Sequence, residues 1–147
     1  MLARLHSKLL ETKLHRLLSD RALTSVVLAE LWRKPEASTR ETEYGCLPLH
    51  TAAANNASEM VVKELIHAYP AAARAKNNED GWLPLHYAAA IQASEAVLLV
   101  LLEEYPEGDL EKDKNGDLPL QIATDNASAV QKLLEAHEAA ARKTEQS

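Results

Sequence analysis

Gly45-Cys-Leu-Pro-Leu-His50, Gly81-Trp-Leu-Pro-Leu-His86 and Gly116-Asp-Leu-Pro-Leu-Gln121 are three near-copies of one phrase. Their glycines stand 36 and then 35 residues apart. A fixed period of this length means stacked supersecondary units rather than one closed core. Such a stack has no natural central pocket, but it offers a partner a long, groove-like face.

Outward from the phrase, the copies read alike. Each glycine closes a polar turn, where φ > 0 costs it nothing. Pro48, Pro84 and Pro119 suit a first helical position, because the N–H that proline lacks would be unpaired there anyway. A short Ala-rich helix follows in His50-Thr-Ala-Ala-Ala54, His86-Tyr-Ala-Ala-Ala90 and Gln121-Ile-Ala123, small enough for a neighbouring helix to approach closely. Ala-Ser then recurs at 57–58, 93–94 and 127–128. Serine is a good N-cap, and Glu59 and Glu95 favour the positive helix end. The second helix carries the large apolar residues, such as Val61, Leu65, Val97, Leu101, Leu133 and Leu134. Tyr69-Pro70 and Tyr105-Pro106 end two of these helices, since proline bars its predecessor from helical geometry.

The phrase resembles the ankyrin repeat, whose signature is a glycine, then Thr-Pro-Leu-His, then Ala-Ala, in units of about 33 residues. The resemblance covers about residues 39–147 and recurs in phase three times. This is a variant with Gly-x-Leu-Pro-Leu-His and a longer Tyr-Pro loop: Leu47, Leu83 and Leu118 replace the family's threonine. That exchanges a cap worth about 1 kcal/mol for apolar packing. The last copy has Gln121 for histidine, which in the family tends to bridge to the next repeat; a final unit has no successor to reach.

The first 40 residues lack the phrase but fit a degenerate N-terminal unit. Val26-Val-Leu-Ala-Glu-Leu31…Pro35 overlays Val97…Leu102…Pro106 at a constant offset of 71, which is two periods. Leu2, Leu5, Leu9, Leu14, Leu17 and Leu18 recur at helical spacing and supply its partner helix. At the other end no Tyr-Pro follows the last leucines, so the last helix can run on through Lys143. The expectation is an all-α, ankyrin-type helical repeat solenoid of four helix pairs, near 2–18/24–33, 48–55/58–69, 84–91/94–105 and 119–125/129–142. It forms one domain over 1–147: a capping unit at 1–38, repeats at 39–74 and 75–109, and a C-terminal repeat with an extended helix at 110–147. Leu49, Leu85, Leu120, Leu65, Leu101 and Leu134 are expected in the core.

Composition agrees. Of the 147 residues 46% are hydrophobic with no Phe, which suits thin helix-on-helix packing. One cysteine cannot form an internal disulfide, which reads as an intracellular, reducing compartment with the cytoplasm as first choice. No apolar run approaches the roughly 18 residues that span a bilayer. The basic, amphipathic Met1–Leu10 has two readings. One is a capping helix on the first repeat. The other is a mitochondrial targeting or membrane-surface segment, against which Glu11 and Asp20 count.

Charge divides the chain. Residues 1–40 hold eight Lys/Arg against four Asp/Glu, net +4; residues 41–147 hold eight against eighteen, net −10. The repeat body lacks the basic stripe that nucleic acid needs. In the ankyrin family the turn tips and first helices line the concave face. The resemblance places Glu41, Glu43, Glu79, Asp80, Asp113, Asp117 and Asp125 there, with Tyr44, Trp82 and Tyr87, and with Asn55 and Ile91 at the far ends of the helices. One reading is a solvated acidic surface that keeps the chain soluble. The sharper one is a groove for a protein partner with a basic surface, anchored by aromatics, which often dominate interface energy.

No catalytic, cofactor or metal site is expected. Cys46 and His50 are four apart, but both histidines of the phrase sit at the family's structural position, and a four-ligand zinc set is missing. His6, His15, His67 and His137 read as scattered helix residues. The resulting function is a non-catalytic protein–protein interaction module, monomeric on its own. The alternatives are a structural or adaptor subunit held permanently in a larger, even organellar, complex, and an enzyme with a Cys46 nucleophile.

Overall fold

A computed structural model describes residues 13–19, 23–123 and 127–145, and among these every regular element is helical. The α-helices are α1 (Lys13–Ser19), α2 (Thr24–Arg33), α3 (Pro48–Ala54), α4 (Glu59–Ala68), α5 (Pro84–Ala90), α6 (Glu95–Glu104), α7 (Pro119–Ile122) and α8 (Ala127–Glu145). α1/α2, α3/α4 and α5/α6 pack as pairs, and α7 and α8 follow as the fourth pair in chain order. The odd-numbered helices stack in one row, and the even-numbered ones in another. The expected solenoid of four pairs is what forms. The expected helix over 2–12 lies outside the described residues.

Phase decides the boundaries. Adding 35 to α2 gives α4, and adding 36 more gives α6. Ser58 and Ser94 do cap α4 and α6, accepting the N–H groups of Val61 and Val97 at 3.4 Å. The third serine, Ser128, falls within α8, whose described residues begin at Ala127. Lys34, Tyr69 and Tyr105 all hold the same non-helical geometry before proline, with φ between −149° and −135° and ψ between 73° and 84°. The chain beyond each of them is not an open loop. Pro35–Thr39, Pro70–Arg74 and Pro106–Leu110 are 3₁₀ turns that account for the extra length of each unit, and Ala37, Ala72 and Ala73 bury themselves on the helices beside them.

Small residues let the inner helices meet: Ala52, Ala53, Ala88 and Ala89 are at most 2% exposed. Larger ones fill the space between the rows, including Leu49, Leu65, Leu85, Leu98, Leu101 and Leu102. Leu47 and Leu83, which replace a capping residue, are fully buried, so the exchange of a cap for packing is real. Two members of the expected core differ. Leu120 is half-buried, on a helix of only four residues. Leu134 is 47% exposed, and Leu133 is the buried one at 2%. By the 35-residue offset Leu133 is the counterpart of buried Leu98, while Leu134 answers to half-buried Leu99.

The N-terminal unit is less degenerate than its sequence. Leu14 and His15 are fully buried and stand 35 residues before Leu49 and His50, so the Leu-His pair of the phrase is present there, with Lys13 in the proline's place. His15 is therefore a core residue of the repeat, not a scattered one. In the same unit Glu30 occupies the position of core Leu65 and Leu101, held by Arg33 at 2.8 Å and Lys13 at 3.4 Å.

The glycines of the phrase have φ of +71° to +84°, as their turns require. Asn56 and Gln92 share that left-handed region where each inner helix ends, and the next N–H reaches back five residues, Ala57 to the Ala52 carbonyl and Ala93 to that of Ala88.

Two outcomes are expected. Leu85→Ala removes a core side chain of the middle unit and should cost about 2–5 kcal/mol; a melting curve unchanged within about a degree would place Leu85 outside the core. Gly116→Ala should cost about 1–2 kcal/mol, the strain of φ > 0 alone, since a Cβ there meets nothing within 4 Å. Gly81→Ala should cost more, because its Cβ would press the Lys114 backbone nitrogen at 3.2 Å. Equal losses in chemical denaturation would remove that steric term.

Candidate functional site

The tips before the glycines form one row. In each, a polar side chain accepts the N–H of the residue after the glycine: Cys46 to Thr42 Oγ1 at 3.2 Å, Trp82 to Asn77 Oδ1 at 2.9 Å and Asp117 to Asp113 Oδ1 at 2.8 Å. The reverse bonds run from the N–H groups of Thr42, Asn77 and Asp113 to the carbonyls of the same partners, each at 2.9 Å. Neighbouring tips are tied by backbone bonds, Asn78 N–H to the Tyr44 carbonyl at 2.7 Å and Lys114 N–H to the Asp80 carbonyl at 2.9 Å. Lys76 adds a cross-tie, with its ammonium 2.8 Å from Glu111 and 3.1 Å from the Lys112 carbonyl. Lys114 Nζ likewise donates to the Asn78 carbonyl. The Lys76 ammonium, then the Tyr105 hydroxyl, hold the Glu111 carboxyl below its usual range.

Behind the tips, the aromatics join consecutive units. Trp82 donates its indole N–H to Asp113 Oδ2 at 2.9 Å. Its ring lies nearly parallel to His86 at 6.2 Å and edge-on to Tyr87 at 4.9 Å. The Tyr87 hydroxyl accepts from Asn77 Nδ2 at 2.7 Å and lies 3.7 Å from Cys46 Sγ. Burial, with the Cys46 thiol beside it, pushes the Tyr87 phenol well above its ordinary value. Burial alone would raise Asp113 too, but N–H donors from Asp117, Trp82 and Asn115 outweigh it and hold the carboxyl below its usual range.

His50 works inside the frame. Its Nδ1 accepts the Leu47 N–H at 3.0 Å, and its Nε2 faces the carbonyls of Ala75 at 2.8 Å and Trp82 at 3.2 Å. Both ring nitrogens are engaged, so His50 is not free to serve Cys46 as a base. Among the described residues no group of His, Cys, Asp or Glu could hold a metal ion. No helix there is long and apolar enough to cross a membrane.

The residues singled out from the sequence separate into two places. Glu43, Tyr44, Glu79 and Asp80 are exposed at the tips, with Asp117, Trp82 and Tyr87 half-buried just behind. Asn55 and Ile91 sit at the opposite ends of α3 and α5, which at seven residues are about 10 Å long. Asn55 donates to the Thr51 carbonyl and lines a cleft of about 290 Å³ between the N-terminal unit and the next, with Leu17, Val27 and Val61 among its walls. Asp125 lies outside the described residues. Glu41 is exposed, whereas Asp113 is buried at 8% as the fastener of Trp82 rather than part of an open surface. Sequence reading missed the tip closers Thr42 and Asn77. They precede their glycines by three and four residues, because the middle tip carries one extra residue, and a strict period hides them.

A family model for ankyrin repeats (3 copies) matches residues 14–107 and again 49–146. No curated protein matches the chain.

Trp82→Phe keeps an aromatic ring but removes the indole N–H and strands the Asp113 oxygen. It should cost about 1–3 kcal/mol, read as a fall in melting temperature, while Asp80→Ala at the exposed tip should stay within about 0.5 kcal/mol. Equal effects would deny the indole–carboxylate bond its role.

Proposed function

We propose, from the premise that this chain belongs to the ankyrin-repeat family, a protein–protein interaction module that takes a basic partner on its inner, tip-lined face and performs no chemistry itself. Ankyrin repeats are protein-interaction modules; the partner's charge and the face it meets are the new part. The observation that carries this is the locked row of tips. Glu43, Glu79 and Asp80 project from it, and none of the three enters an ion pair among the described residues. Exposed Tyr44 supplies apolar contact at the tips, and exposed Ile91 does so at the far end of α5. Trp82 and Tyr87 serve as floor rather than as free anchors, since their polar atoms are already bonded and their rings support each other. A pre-fixed face loses little entropy on binding. The free, half-buried thiol of Cys46 fits a reducing compartment.

The carboxylates should govern encounter and the apolar residues the off-rate. The test is capture with the immobilised full chain, identification of the partner, then binding constants for Glu43→Lys/Asp80→Lys and for Tyr44→Ala. The charge reversal should weaken binding at least about tenfold at low salt and less at high salt, where exposed charges are screened beyond about 3 Å at 1 M. Unchanged binding by the folded double variant would end the inner-face reading. A stoichiometric complex that survives high salt unchanged would favour the fixed-subunit alternative.

A further inference from the structure

His15, His50 and His86 hold the same position in consecutive units, and each is at most 1% exposed. Each sits at a junction. His15 Nε2 lies 3.1 Å from the Cys46 carbonyl, and His50 Nε2 lies 3.2 Å from that of Trp82, the matching residue one unit on. His50 and His86 also cap their own helices, since their Nδ1 atoms accept the N–H groups of Leu47 and Leu83 at 3.0 Å. An imidazole that accepts at Nδ1 and donates at Nε2 is neutral. A proton on Nδ1 would set donor against donor, and the cap would be lost. In the last unit Gln121 does the same work without a titratable group, taking the Leu118 N–H on Oε1 at 2.8 Å.

We propose that this column is an acid-release device: protonation of the buried histidines undoes caps and unit junctions together, so the stack and its inner face come apart as the surroundings turn mildly acidic. Units that depend on their neighbours fail as a set.

The charges facing the rings fit this. The His50 ring sees the His15 ring across the first junction, the edge of Tyr87 at 6.0 Å and the two carbonyls. Burial, against the pull of those carbonyls, pushes it from 6.5 down to about 4. His86 faces the Trp82 ring, the Asp113 carboxylate and the Lys76 ammonium; its Nε2 is buried without a partner in hydrogen-bond geometry, although the Asp117 and Glu111 carbonyls stand nearby. Burial lowers it as well, opposed by those carbonyls and Asp113. For His50 the unfolded chain takes up a proton below 6.5 and the folded chain only near 4. Between those values the unfolded state binds more protons, so stability falls as pH falls; above them it is flat.

The experiment is urea denaturation of the full chain from pH 7.5 to 5.0, above the ordinary carboxylate pKa values of about 4. The folding equilibrium constant should drop about 30-fold from His50 alone, and further with the others. His50→Gln/His86→Gln, patterned on Gln121, should fold at neutral pH and lose most of that drop. The His137–Asp109 pair, 2.8 Å apart, is unaltered in the variant and cancels in the comparison. If the double variant does not fold, NMR titration of the parent decides: in folded molecules the His50 ring should stay neutral to pH 5, and a protonated ring should be seen only in molecules that have unfolded. A ring that titrates near 6.5 in the folded chain, a parent flat from pH 7.5 to 5.0, or a variant with the parent's slope each overturns the proposal.

Discussion

A seven-residue helix cannot hold itself together in water, since nucleation alone outweighs the few bonds it can make. α3 and α5 have seven residues and α7 has four. The structure depends on how their first turns are held, and the answer is a single side chain at the third helical position. His50 accepts the N–H of Leu47 and passes its other nitrogen to the next unit's carbonyls. One ring thus caps the start of a helix and begins a junction. Gln121 keeps the first half of this role in the last unit.

The consequences reach the surface. With the third helical position acting as cap, Leu47 and Leu83 are free to be apolar and are buried. The junction draws in the next tip, so the tips align closely enough for backbone bonds between them. A stable inner face arises from core chemistry rather than from surface contacts. The price of fastening the frame with aromatics is that Trp82 and Tyr87 are committed to it. The carboxylates, Tyr44 and Ile91 are what remain exposed.

Much of this was legible. Proline and glycine set the starts and turns because their constraints are local, and the 71-residue offset fixed α2 before any contact was known. His15 was hidden because Lys13 replaces the proline and the phrase around it is gone, although the 35-residue step to His50 would have found it. Thr42 and Asn77 were hidden by one extra residue in the middle tip. Leu134 looked like core because adjacent leucines differ by about 100° on a helix, and only the neighbouring helix selects Leu133.

The sequence by itself determined the unit, its period, the sign of φ at the glycines and the division of charge between a basic start and an acidic body. Each is a property of a residue or of its near neighbours along the chain. The tertiary structure alone decided which side chains stay exposed and which hold the stack. Trp82 reads as an anchor until Asp113, 31 residues later, is found bonded to its indole. That pairing depends on the rise and rotation from one unit to the next, which packing of the buried leucines and alanines sets and no local pattern encodes.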